Sequence, residues 1–149
     1  APQGTVDALK RTVDVVPRLV GDVGGVSIGS GGTQALTLNA GPSTGAAAWA
    51  FLLGSSTGTA PGIPIGATCL PLVFDAYTNY TLTHPGGPLT PGSFSVLDGE
   101  GAGAAAFALP PGASPALVGL QLFHAYAVLE PGSLAVVGAS NAVPVTLLP

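Results

Sequence analysis

The chain has 149 residues, of which 47% are hydrophobic and only 7% are charged, and its net charge is −4. This length suffices for one domain with a sizeable core, and so few Lys and Arg residues disfavour binding to a nucleic-acid backbone. The mean hydropathy of +0.58 is high for a disordered chain, and Gly and Pro interrupt the uncharged stretches too often for a membrane-spanning helix. The composition instead favours short strands joined by Gly- and Pro-rich turns.

The first 22 residues differ from the rest of the chain, because they hold six of its ten charged residues. Val6, Leu9 and Val13 fall at helical spacing. Residues 12–15 alternate as a strand does, and Pro17 argues against a helix that continues through the segment. We therefore predict an N-terminal arm over residues 1–22, in which a strand is slightly favoured over a helix.

The rest of the chain, residues 23–149, carries regular strand signals and is predicted to form a single sandwich domain. The predicted strands are residues 23–29, 34–39, 47–54, 68–74, 77–83, 93–97, 102–109, 120–129, 134–138 and 142–148. Residues 47–54 are apolar on both faces, as in the centre of a sheet, and the Asp98-Gly99 turn predicts a hairpin. We expect an all-β fold, an antiparallel β-sandwich of about eight to ten strands that is immunoglobulin-like or jelly-roll-like.

Several short motifs follow one another in a fixed order along the predicted sandwich. They are Ser27 to Gln34, Leu53 to Gly62, Leu70 to Leu72, Ser93 to Gly99, His124 to Tyr126 and Ser140 to Val145. In the order and spacing of these motifs, the chain resembles a module of secreted proteins from planctomycetes and myxobacteria. The resemblance implies an extracellular β-sandwich with no established activity. It carries over no catalytic residue and does not include the N-terminal arm.

The pattern Gly-x-Ser-x-Gly surrounds Ser27 and also Ser56. This pattern marks a hydrolase nucleophile only at a turn from a strand into a helix, and no helix is predicted after either serine. Ser27, Asp75 and either His84 or His124 would give a catalytic triad by their order in the chain. Such matches arise by chance in a chain rich in Gly and Ser, and we predict that the protein is not an enzyme.

Metal and cofactor sites are not indicated by the few residues that could form them. His124 is predicted on an apolar strand face with Leu122 and Tyr126, where a hydrogen-bonded core histidine is more common than a metal ligand. Asp98 and Glu100 lie in the predicted hairpin turn, and calcium would need six to eight oxygen ligands. We therefore predict no metal and no cofactor.

Three surface features are candidates for contact with other molecules. Asn79-Tyr80-Thr81 is a glycosylation sequon. The aromatic residues that could stack on a sugar are Trp49, Tyr77, Tyr80 and Tyr126, although we expect Trp49 and Phe51 to pack in the core. Cys69 is the only cysteine; we expect a small buried hydrophobe, and the alternative is a disulfide between two chains.

The scarcity of charge is the feature with the most functional content. Well-behaved small soluble domains carry charge on about 25–35% of their surface residues, which this chain cannot do. We expect another copy to cover part of its surface, so that the partner is the same chain in a homo-oligomer or homopolymer. The arm would supply a strand to a neighbour's sheet, as in donor-strand complementation. The candidate contact residues are Val6, Leu9, Val13, Val15 and Cys69.

These features together predict an extracellular structural protein that assembles into a filament or a surface layer. The alternative is a secreted adhesion module that binds a polysaccharide or another surface polymer. The start at Ala1 and the absence of Met fit a chain whose signal peptide has been removed, so we expect a secreted or cell-surface protein. Neither a nucleic-acid partner nor a membrane span is expected.

Overall fold

The computed structural model describes residues 17–42, 46–66 and 68–149. The eleven strands in these residues are β1 (Arg18–Gly21), β2 (Gly25–Ser27), β3 (Gly32–Asn39), β4 (Trp49–Ser55), β5 (Ile63–Ile65), β6 (Thr68–Leu70), β7 (Phe94–Val96), β8 (Ala102–Leu109), β9 (Gln121–Leu129), β10 (Val136–Ala139) and β11 (Val143–Leu148). Helix α1 spans Ala76–Thr83, and a 3₁₀ helix spans Pro115–Leu117. The predicted all-β sandwich is confirmed.

Two sheets pack face to face. Sheet A has the strand order β1-β3-β8, and sheet B has the order β2-β11-β9-β4-β7, with β10 also paired to β9. Every pair in these sheets is antiparallel except β2 with β11. At the centre of sheet B, β4 and β9 pair from Trp49↔Leu129 to Ser55↔Phe123. Their position confirms the central strand predicted in residues 47–54, and it shows that the strand predicted in residues 120–129 is central as well.

The core lies between the two sheets, because alternation along each strand sends one set of side chains inward. Leu36 and Leu38 of β3 are each 1% exposed, and Leu52 of β4 is fully buried opposite them. A second cluster around Phe107 and Leu147 continues the core toward the other end of the sandwich. Full burial of each such side chain contributes about 1.5–3 kcal/mol.

The described part of the predicted arm, residues 17–22, is built into the sandwich. β1 pairs with β3, and Leu19 lies in the core. On the other edge of β1 the side-chain amide of Asn141 takes the place of a strand: its oxygen accepts from the Leu19 N–H at 2.9 Å, and its nitrogen donates to the Leu19 carbonyl at 3.0 Å. Only residues 1–16 of the arm lie outside the described residues.

The predicted strand over residues 77–83 is wrong, because these residues form α1. Their Tyr and Thr content favoured a strand. Asp75 overrides that preference by capping a helix: its carboxylate accepts from the Thr78 N–H, and the Thr78 hydroxyl accepts from the Asp75 N–H. In the part of the chain that the structure describes, neither this helix nor any other is long and apolar enough to cross a membrane.

The predicted hairpin at Asp98-Gly99 is also wrong, although the turn itself forms. The Asp98 carboxylate accepts from the Ala102 N–H at 2.9 Å. The flanking strands nevertheless separate, since β7 pairs with β4 in sheet B and β8 pairs with β3 in sheet A. Each strand finds its partner in a different layer, so the turn carries the chain from one sheet to the other.

Candidate functional site

The outer face of sheet B, which points away from sheet A, is apolar at its centre. Ala50 and Leu52 of β4 face the core, so alternation sends Trp49, Phe51 and Leu53 outward. One half of this face is covered by the β5–β6 hairpin. There Leu70 and Leu72 are fully buried against Ala125 of β9, with Leu53 and Phe123 packed at their edge.

The other half of the outer face is open among the described residues. We define the aromatic face as Trp49, Phe51, Phe94, Val96 and Leu129, which are cross-strand neighbours on β4, β7 and β9. The rings of Trp49 and Phe94 stack with centroids 4.8 Å apart, and those of Phe51 and Phe94 lie 5.0 Å apart. Phe94 is 38% exposed and Val96 is 52% exposed, so the chain presents apolar surface to its surroundings here.

The aromatic face corrects two sequence expectations. Trp49 and Phe51 were expected to pack in the core, but both are only half-buried, on the outer face. The four-residue sugar platform is not assembled, because Tyr126 is fully buried in the core. Sequence reasoning missed Phe94 and Val96, for which the signal was the short alternation Phe-Ser-Val.

An open strand edge borders the aromatic face. The Leu52 N–H donates to the Ser93 carbonyl at 2.6 Å, and the Leu97 N–H donates to the Ala48 carbonyl at 2.7 Å. Because pairing alternates along an antiparallel ladder, Phe94 and Val96 direct their backbone groups away from β4. The described residues place no strand beside them. With respect to the described residues, this edge is therefore open to pairing with an added strand.

The outer edge of β8, by contrast, is covered by a loop of the same chain. The Ala106 N–H donates to the Pro91 carbonyl at 3.0 Å, and the Ala108 N–H donates to the Leu89 carbonyl at 2.8 Å. The edge of β1 is occupied by Asn141 in a similar way. Side chains and loops that occupy an edge prevent strand addition there, so these two edges are poor sites for a partner strand.

The Gly-x-Ser-x-Gly segment around Ser56 is held by Asp75. Asp75 Oδ2 accepts from the Ser56 N–H at 2.8 Å, from the Ser56 hydroxyl at 3.0 Å and from the Thr57 hydroxyl at 2.7 Å. Burial raises the pKa of Asp75, but hydrogen bonds from Thr57, Thr78 and Ser56 lower it more, so the pKa lies well below its ordinary value. A nucleophilic serine gives its proton to a base such as histidine, whereas Ser56 donates to a carboxylate that stays ionised.

Ser27 lies at the end of β2 and is followed by a turn. Its hydroxyl donates to the Pro149 carbonyl at 3.1 Å and accepts from the Ser30 N–H at 3.2 Å. Among the described residues, neither Ser27 nor Asp75 has a hydrogen bond to a histidine. The structure does not bring together the triad that their order in the chain allowed.

His124 is a buried core residue with a hydrogen bond, as predicted. Its Nε2 lies 2.8 Å from the Tyr77 hydroxyl, and its ring packs 5.3 Å from that of Phe107. Its Nδ1 has no hydrogen-bond partner among the described residues. Burial lowers the pKa of His124 to about 4 and raises the pKa of Tyr77 above its ordinary value. Both side chains are therefore neutral near pH 7.

The remaining predicted contact residues lie apart from the aromatic face. Cys69 is exposed on β6, so the expectation of a buried cysteine is wrong: its neighbour Leu70 fills the inner side of the hairpin, and alternation turns Cys69 outward. Asn79 is exposed on α1. Its glycosylation and a disulfide between chains stay predictions. The arm residues Val6, Leu9, Val13 and Val15 lie outside the described residues.

Comparison with known proteins gives no identity. No protein-family model matches the chain, and a search of curated proteins finds no significant match. Within residues 17–42, 46–66 and 68–149, no three His, Cys, Asp or Glu side chains lie together as a metal site would require. The resemblance to secreted modules of planctomycetes and myxobacteria stays a prediction, as do the function and location that it implies.

Proposed function

We propose that this chain is an extracellular structural subunit that associates with copies of itself through the aromatic face. The observation that carries this proposal is the exposure of Phe94 and Val96 beside an unpaired strand edge. Exposed apolar patches mark interaction surfaces, and an open edge adds a row of backbone donors and acceptors. The two features together suit a protein partner.

Self-association also fits the charge distribution. The charged side chains among the described residues are Arg18, Asp22, Asp75, Asp98, Glu100 and Glu130. None belongs to the aromatic face, so covering that face leaves no charge buried, which would cost several kcal/mol per ion. Two β7 edges can pair antiparallel about a two-fold axis and join two copies of sheet B. Such a contact produces a dimer, and a filament or surface layer needs a second contact.

Carbohydrate binding is the second candidate, favoured by the half-buried Trp49 at the surface. Two observations favour self-association over carbohydrate binding. Trp49 and Phe94 stack on each other with 17° between their ring planes, so one face of each ring is already occupied. The only hydrogen-bonding side-chain group on the aromatic face is the Trp49 indole N–H, whereas bound sugar hydroxyls need several partners.

The test compares two exposed valines. Val96→Lys puts a charge on the open edge, and Val20→Lys puts the same charge on β1 of sheet A, where Val20 is 42% exposed. With the full chain in analytical ultracentrifugation, Val96→Lys should weaken the dimer at least about tenfold, since lysine on an edge blocks strand pairing. Val20→Lys should leave the dimer unchanged. Equal dimerisation of both variants and the parent would contradict the proposal.

The same protein distinguishes the second candidate. Trp49 is the only tryptophan, so its fluorescence reports on this face alone. We expect the emission to shift to shorter wavelength as protein concentration rises, in step with the mass. A shift that follows added soluble polysaccharide while the mass stays that of one chain would replace self-association with a binding role.

A further inference from the structure

An apolar furrow crosses one end of the sandwich. It consists of two adjoining clefts of about 310 Å³ each, which share Leu89 and Leu109. We call it the leucine furrow, because its walls include Leu89, Leu109, Leu117, Leu120, Leu122 and Leu147. Among the described residues, no charged side chain lines either cleft. Two clefts in a row suit an extended apolar segment better than a compact ligand.

The leucine furrow and the start of the described chain lie at opposite ends of sheet A. β3 runs from Gly32, which pairs with Leu109 at the furrow, to Asn39 at the far end. Arg18 pairs with Asn39, so Pro17 enters at that far end. β1 then runs toward the furrow, and the arm therefore joins the sandwich from the side away from it.

The contacts of sheet B independently place Pro17 and the leucine furrow at opposite ends of the sandwich. Leu122, which lines the furrow, is the second residue of β9. Pro17 lies against Gly138, where an added Cβ would come within 3.0 Å of the proline ring. Gly138 pairs with Val128 near the other end of β9. Both sheets thus separate Pro17 from the furrow by most of a strand length.

This separation puts the furrow of the same copy beyond the reach of the last apolar residues of the arm. The seven steps from Asn39 to Gly32 span roughly 23 Å at about 3.3 Å per residue. Val13 is four residues before Pro17 and can lie at most about 14 Å from it, and Val15 lies closer. Neither valine can reach the furrow of its own copy. A copy placed end to end would bring its furrow next to Pro17 and within their reach.

We infer that Val13 and Val15 of one copy occupy the leucine furrow of the next. Residues 12–15 alternate Thr-Val-Asp-Val, so an extended segment would turn both valines into the furrow and leave Thr12 and Asp14 in water. The contact joins two different surfaces, and repeating it head to tail builds an open filament. It deepens the proposed function, on which it rests, but uses a surface separate from the aromatic face.

The experiment uses four full-length chains, all carrying Val96→Lys so that the aromatic-face contact is removed. The background chain should form assemblies whose mass grows with concentration. Val13→Asp with Val15→Asp damages the arm, and Leu117→Asp damages the furrow. Each of these two variants should weaken assembly at least about tenfold, because it places a charge where the contact would bury an apolar side chain. Thr12→Asp adds one such charge to the opposite side of the segment and should assemble as the background does.

Mixing the two damaged chains gives the decisive result. The Leu117→Asp chain keeps an intact arm, and the arm variant keeps an intact furrow, so an equimolar mixture should form a one-to-one dimer that does not grow. Formation of that dimer also shows that the arm variant is folded, because that chain contributes the furrow. A background chain that stays monomeric, or a mixture that does not dimerise, would overturn the inference.

Two further outcomes separate the alternatives. The fluorescent probe 1-anilinonaphthalene-8-sulfonate should bind the furrow of the arm variant and be displaced by a peptide of residues 1–16. Probe binding that the peptide does not displace would assign the furrow to a small apolar ligand and overturn the inference. If Val96→Lys leaves the parent's mass unchanged while the mixture still dimerises, the aromatic-face proposal fails and the furrow contact stands.

Discussion

The two halves of the outer face of sheet B have similar composition but different surroundings. In the covered half, Leu53 and Ala125 pack beneath Leu70 and Leu72 of the hairpin segment. In the open half, Phe94 and Val96 are exposed on the neighbouring strand β7, with no charged neighbour on that face. The hairpin segment supplies a third layer over one half only. An uncharged sheet face therefore needs another layer to bury it. In this chain, the described residues bury only one half of the outer face of sheet B.

The largest effect that tests this comparison is expected from Leu70. Leu70→Ala removes a fully buried side chain from the cover and should lower the free energy of unfolding by about 2–5 kcal/mol. Val96→Ala, on the open half, should stay within about 0.5 kcal/mol, because the residue is 52% exposed. Urea unfolding at low protein concentration measures both. Similar losses would mean that the two halves are equally covered within one chain.

Acid should lower the free energy of unfolding through His124, which pairs with Gly54 of β4 on the core side of the covered half. Burial lowers the pKa of His124 from 6.5 to about 4, so the unfolded chain takes up a proton that the folded chain does not. The stabilisation from the neutral histidine is complete above pH 6.5 and is lost as the pH falls toward 4. The loss is up to about 1.4 kcal/mol per pH unit, about 3 kcal/mol in all.

Variants at His124 and at its hydrogen-bond partner Tyr77 isolate this pH dependence. His124→Phe should remove that part of the slope in unfolding free energy between pH 6.5 and 4, whatever its effect at neutral pH. Tyr77→Phe removes the 2.8 Å hydrogen bond but keeps the buried histidine, so the slope should remain. An unchanged slope in His124→Phe would show that other groups cause the acid sensitivity.

Asp75 is expected to have the next largest effect, because it joins the two ends of the segment that forms the cover. Its carboxylate binds Ser56 and Thr57 before the hairpin and caps α1 after it. Asp75→Ala should cost about 2 kcal/mol through the lost cap and charge-assisted hydrogen bonds. Hydrogen exchange should then rise over residues 63–70 more than over β7. Asp75→Asn, which keeps an acceptor oxygen, should lose less.

The comparison also shows how far the sequence predicts the fold. The alternation in residues 34–39 and the apolar runs 47–54 and 120–129 are local patterns, so they predicted strands there, with 47–54 at the centre of a sheet. The turn at Asp98 was predicted as well, but a turn does not specify the sheet that each flanking strand joins. Helix α1 was missed because Asp75 acts as a helix cap only in combination with Thr78.

The position of the aromatic face depends on long-range contacts, which the periodicity of the sequence does not specify. Alternation shows that Trp49 and Phe51 share one face of β4, but it does not show which face meets sheet A or where the hairpin stops. The burial of Leu70 and the exposure of Cys69 follow from the same long-range packing. The low charge content predicted that some surface needs covering, and only the three-dimensional arrangement shows which surface that is.

The smallest expected effect is at Cys69, on the outer side of the cover. Because its thiol is exposed, a maleimide should react with it completely in the folded protein and change the unfolding free energy by less than about 0.5 kcal/mol. If copies associate through the open half and the furrow, the labelling rate should be the same in assembled and dilute protein. Slower labelling in the assembly would place the contact over the hairpin, and the half that looks covered would then be the interface.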